Sequence, residues 1–143
     1  MTVFVDITGA IIAALAAEPA VSPNIFRARD AALLASYNTA VNVQWDAGTP
    51  DYGQIHGAPA DWQSKYTVEC YAKSAVLSGD LAVDPVLDAV FTRLAADPTL
   101  GNTVAWLRMV HVEASCDSAG QKTGWVGMTY LVTHRTSADN LNA

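Results

Sequence analysis

Apolar and polar residues alternate most clearly in the second half of the chain. Tyr66, Val68, Cys70 and Ala72 interleave with Thr67, Glu69, Tyr71 and Lys73, the period of two that buries one face of a strand. Asp84-Pro85 then reads as a helix start, because Asp suits the N-cap and proline the first helical position. Leu87, Val90, Phe91 and Leu94 follow at i, i+3, i+4 and i+7, one apolar stripe that needs a sheet beneath it, and Asp97-Pro98 stops the helix. Two long alternating segments close the chain, Val104 to Ser115 and Gly124 to Thr136, joined by a turn over Cys116 to Thr123. The alternation places Trp106, Val110, Val112 and Ala114 on one face of the first, with Leu107, Met109, His111 and Glu113 on the other. In the second it sets Val126, Met128, Tyr130 and Val132 opposite Trp125, Thr129, Leu131, Thr133 and Arg135.

The first half is less regular. Asp6 is placed to cap a helix in which Ile7, Ile11 and Leu15 recur every four residues and which Glu18-Pro19 closes. Ile25 to Arg29 reads as a short strand, Ala31 to Ser36 is ambiguous, and Thr39 to Trp45 is a strand with Val41, Val43 and Trp45 on one face. Residues 47–63 hold three glycines and two prolines without periodicity and read as a long loop; residues 137–143 read as a flexible polar tail. These elements predict a single α+β domain over residues 1–143. Its antiparallel or mixed sheet has four to five strands, with two main helices packed on one face. The other face is expected to be less polar than a free monomer tolerates, and so to meet another subunit.

Composition narrows the function. With 143 residues, 51% hydrophobic and 15% charged, the chain can bury a core. A net charge of -6 with eight lysines and arginines argues against binding a phosphate backbone. No apolar run approaches the roughly 20 residues of a membrane span, and residues 1–20 lack the basic start of a signal peptide, so a cytosolic chain is expected. Cys70 and Cys116 are expected to be buried thiols. His56, His111 and His134 lack metal-ligand spacing, Asp84 and Asp88 are explained by their place in a first helical turn, and the glycines of 47–63 form no phosphate loop. No cofactor, metal or catalytic set is expected. Candidate interface residues are Trp45, Tyr52 and Trp62, aromatics of the kind that anchor contacts or fold back as local packing. Arg108 and Arg135, with Arg27 and Arg29, are candidates for ion pairs to a neighbour's carboxylates.

The order of elements resembles the tail terminator proteins of tailed bacteriophages, the minor tail protein U family. The resemblance rests on the strand around Asn38 to Trp45, the strand Ser64-Lys65-Tyr66-Thr67-Val68-Glu69-Cys70-Tyr71, and the helix from Asp84-Pro85-Val86-Leu87-Asp88-Ala89-Val90. It ends on the closing strand Met128-Thr129-Tyr130-Leu131-Val132-Thr133-His134-Arg135-Thr136. It implies a structural virion protein without catalysis. By analogy it forms a hexameric ring on the head-proximal end of the tail tube, assembled in the host cytoplasm. The ring stops tube polymerisation, binding the tail tube protein on one side and a head-completion or connector protein on the other, with no need of nucleic acid or membrane. The alternatives are another head-tail joining or tail-tube-related phage protein and, further off, a small enzyme or ligand-binding module. The latter would have a pocket under the long loop and Cys116, His111 or Tyr130 as its groups.

Overall fold

A computed structural model describes residues 1–28, 36–117 and 122–142. The elements run α1 (Val3–Ala16), β1 (Ile25–Arg27), β2 (Thr39–Asp51), β3 (Ala60–Ser74), α2 (Gly79–Ala96), β4 (Trp106–Asp117) and β5 (Lys122–Thr136). The strands form one mixed sheet in the order β1-β2-β3-β5-β4, parallel between β1 and β2 and antiparallel elsewhere. Both helices lie on one face. The α+β class, the five strands and the two helices agree with the sequence pattern. Arg29, residues 31–35 of the ambiguous segment, and the middle of the turn over 116–123 lie outside the described residues.

The core is sealed by two helix stripes against one sheet face. Ile7, Ile11 and Leu15 of α1 are fully buried, and Val83, Val86, Val90 and Leu94 of α2 meet Tyr66, Val68, Cys70, Val126, Met128, Tyr130 and Val132 beneath them. Each fully buried aliphatic side chain contributes about 1.5–3 kcal/mol of apolar burial. The end of α1 is held from outside itself. Arg93 of α2 donates to the Ala14 and Ala17 carbonyls, both at 2.8 Å, and to the Pro19 carbonyl at 2.5 Å, satisfying acceptors that a helix end leaves open.

Several boundaries differ from the sequence reading. Helix α1 begins at Val3, not after Asp6, and the Val3 amide donates to the Leu141 carbonyl at 2.7 Å, so the polar tail reaches back to the start of the chain. Helix α2 begins at Gly79, with Asp84 and Pro85 already inside it. Close backbone approach explains the early start. A Cβ on Gly79 would fall 2.1 Å from the Thr123 carbonyl oxygen, and one on Gly124 would fall 2.0 Å from the Gly79 oxygen. Two glycines let the first turn of the helix dock directly on the β5 backbone. Pro85 is tolerated because it lies on the exposed side, where water can satisfy the carbonyl it leaves without an amide. The buried stripe is correspondingly turned: Val83 and Val86 face the core, Leu87 is half-buried and Phe91 is exposed.

Residues 47–63 are not one loop. They are the outer halves of β2 and β3 around a connection over 52–59. A bulge between Trp45 and Ala47 breaks the alternation that would have revealed the strand, and Pro50 is acceptable on an outer strand. Gly48 fits where the Phe4 ring, Trp62 and Ser64 crowd the space a side chain would take.

Candidate interaction surface

A second bulge decides which residues β4 offers to its surroundings. Leu107 pairs with Val132 and Met109 with Tyr130, but after a shift between Met109 and His111 the pairs are His111 with Thr129 and Val112 with Met128. Paired residues of adjacent strands point to the same side. Leu107, Met109, Val112, Ala114 and Cys116 therefore share the helix-bearing face, and Arg108, His111, Glu113 and Ser115 the open one. This corrects the uninterrupted alternation expected from the sequence, which grouped Val112 with Trp106 and Met109 with His111.

Helix α2 lies over β3 and β5, and β4 projects past it as the last strand of the sheet. Along β4 only Leu107 is buried among the described side chains. The result is an open groove between α2 and β4, in two adjoining parts of about 480 and 260 Å³ that share Phe91 and Met109. Trp106 is 49% exposed, Val110 47%, Phe91 44%, Val112 42% and Met109 36%. Phe91, Met109 and Val112 line the groove itself, while Trp106 borders it from the open face and Val110 sits at the bulge, so the apolar surface wraps around the edge of β4. Asp84 and Asp88 form the helix-side rim. The sequence pattern names these residues but not their grouping, because the bulge that aligns Met109 with Val112 leaves no mark in it.

The open sheet face is more polar than expected. Arg135 pairs with Asp61 through Nε at 2.6 Å and Nη2 at 3.3 Å, which holds the Asp61 carboxyl below the usual carboxylate range. Thr67 bonds to Asp46, and the Trp125 indole donates to Glu69 at 3.4 Å. His111 pairs with Glu113 at 3.1 Å and the Arg108 guanidinium lies 4.4 Å from the centre of the Trp106 ring. Apart from Trp106 and the bulge residue Val110, the exposed apolar side chains around β4 lie on the helix-bearing side, beyond the reach of α2.

The other interface candidates lie around the β2–β3 hairpin. Trp45 stacks on Phe4 at 4.5 Å while keeping nearly half its surface exposed. Trp62 is half-buried, edge-on to Phe4, parallel to the His134 ring, and donates to Thr136 Oγ1 at 3.0 Å. Tyr52 is exposed and borders an open concavity of about 760 Å³ between the 52–58 turn and residues 137–139.

The structure does not bring the enzyme-like candidates together. Cys116 and His111 point to opposite faces of β4, and Cys116 pairs with Gly124, ten residues along β5 from His134, about 30 Å at strand spacing. Neither Cys116, His111 nor Tyr130 lines the concavity under the hairpin turn. Cys70 is buried, and burial pushes its thiol up to about 12. Cys116 is exposed, contrary to expectation, because β4 has no layer over it. His134 is buried; its Nε2 lies 2.8 Å from Ser64 Oγ and its Nδ1 has no partner. Burial lowers its pKa to about 4. Among the described residues no three His, Cys, Asp or Glu side chains gather as metal ligands, and no helix is long and apolar enough to cross a membrane.

No family model and no curated protein matches the sequence. Among solved structures, a chain in the virion of a native gene transfer agent particle matches with a TM-score of 0.52 and 11% sequence identity, over 90% of this chain and 94% of that one. At that identity the likeness is one of fold. It covers nine-tenths of the chain rather than one motif.

Proposed function

We propose that this chain is a structural virion protein that caps the tail tube as a ring, a tail terminator, and that it does no catalysis. The observation that carries this reading is the fold shared, over nine-tenths of both chains, with a component of a phage-like particle. An assembly role also accounts for the exposed apolar groove along β4, which a monomer would be expected to cover or to break with charge. In this reading the ring, a hexamer by analogy, binds the last tail tube subunits on one side and a head-completion or connector protein on the other, at the head-proximal end of the tail. Trp45, Tyr52 and Arg108, which keep exposed surface, are proposed as contact positions. Trp62 and Arg135, already engaged with Thr136 and Asp61, are proposed to hold the hairpin that presents them.

The test is reconstitution on growing tubes. Purified tail tube subunits polymerised with and without the protein should give tubes that stop elongating and carry a ring of density at one end only when it is present. Unchanged tube lengths, with the protein absent from tube ends in electron micrographs, would refute the terminator role.

A further inference from the structure

We infer that the groove between α2 and β4 seats a second copy of this chain, contributed head to tail by the flank formed by α1 and the outer half of β2. The inference rests on the ring reading above and assigns the surfaces that would close the ring. Among the described residues, no strand pairs with the outer edge of β4 at one end of the sheet. At the other end, β1 covers β2 only at Val41–Val43, and no described strand lies outside Gln44–Asp51.

These two edges match in direction and in level. From β2 through β3 and β5 to β4 the chain reverses three times, so β2 and β4 run opposite ways. Two copies related by rotation would therefore continue the sheet antiparallel, as within the subunit. Gln44 aligns through Thr67 with Thr129, and Asp51 through Asp61 with Arg135. On the far side of the same β5 segment, His111 pairs with Thr129 and Trp106 with Thr133. The unpaired half of β2 thus lies level with Trp106–His111, and neighbours can meet edge to edge with little rise, as closure of a ring demands.

Side chains agree with this arrangement. Helix α1 lies on the same face as α2, with Phe4 stacked on Trp45, so a neighbour's α1 would come down over Met109 and Phe91 beside α2. Val5 and Trp45 are exposed on that flank, and Arg27, whose guanidinium donates to the Val5 carbonyl at 3.3 Å, adds a positive charge facing the Asp84 and Asp88 rim. A groove-to-groove dimer would instead set Asp84 and Asp88 against their own copies. Phe91, Met109 and Val112 supply an apolar centre for the contact, Trp106 and Val110 its border, and backbone edge pairing extends it toward the roughly 800 Å² per partner of a stable interface.

Two exposed positions test the assignment, Phe91→Glu in the groove and Val5→Glu on the flank, each placed where the fold does not need the side chain. Circular dichroism melts should leave both variants folded, and light scattering with chromatography over a wide concentration range should show assembly of the wild type weakened at least tenfold in each. Mixed in equal amounts, the variants should form a dimer and nothing larger, since one retains a good flank and the other a good groove. A wild type that stays monomeric at every concentration, alone and with tubes, would overturn the ring and this assignment together. Rings formed undiminished by Phe91→Glu would overturn the groove alone, and a mixture without dimers would overturn the head-to-tail pairing.

Discussion

Acid should weaken this fold through His134 before it reaches the carboxylates. The ring is enclosed by Phe4 and Trp62, has one partner in Ser64, and its pKa is lowered to about 4 from 6.5. A group that binds its proton less readily when folded contributes stability that is complete above the unfolded value and is lost as pH falls toward the folded one. At 1.36 kcal/mol per pH unit between the two values, the loss approaches about 3 kcal/mol below pH 4 and is about 2 kcal/mol by pH 5. Asp61 and Asp80, the carboxylates held low by Arg135 and Ser78, release their contributions only below their ordinary value of 3.8, so pH 5 isolates the histidine. The assay is urea unfolding at fixed protein concentration at pH 7.5 and pH 5, for the wild type and for His134→Gln, which cannot titrate there. Taking each protein against its own pH 7.5 value removes whatever packing the substitution costs. The wild type should lose about 2 kcal/mol more than the variant on acidification. Equal losses, within about 0.5 kcal/mol, would refute the account of His134 as a buried neutral ring.

Three further outcomes follow from the packing. Gly124→Ala puts a methyl group 2.0 Å from the Gly79 oxygen, and should lower stability in chemical denaturation by about 3 kcal/mol or more, since both partners are backbone. Arg93→Met keeps most of the stem but strands the carbonyls of Ala14, Ala17 and Pro19; the same measurement should show a loss of about 2–3 kcal/mol, and an unchanged midpoint would mean that water replaces the guanidinium freely. Maleimide labelling at neutral pH should modify Cys116 in the native protein and Cys70 only after denaturant is added, as mass spectrometry of peptides would show; rapid labelling of Cys70 would contradict its burial.

Amino-acid order alone determined the inward faces of the structure. The alternation over Tyr66–Ala72 and Val126–Val132 and the spacing of Ile7, Ile11 and Leu15 survive because each of these segments buries one side in a common core, and burial dominates local choices. The same logic gave the α+β class and the two helices. It failed where the period was interrupted or where two backbones meet. The bulges after Trp45 and Met109 shift the alternation by one residue, so the outer part of β2 passed for a loop and the two sides of β4 were wrongly sorted. Asp84-Pro85 carries a strong local start signal, yet the contact of Gly79 with the β5 backbone sets the first helical residue at Gly79 rather than Pro85. Only the tertiary structure decided that α2 stops short of β4. Whether Phe91, Met109 and Val112 belong to a core or to a surface depends on how far a helix reaches across a sheet, a distance between elements that no residue spacing along the chain encodes.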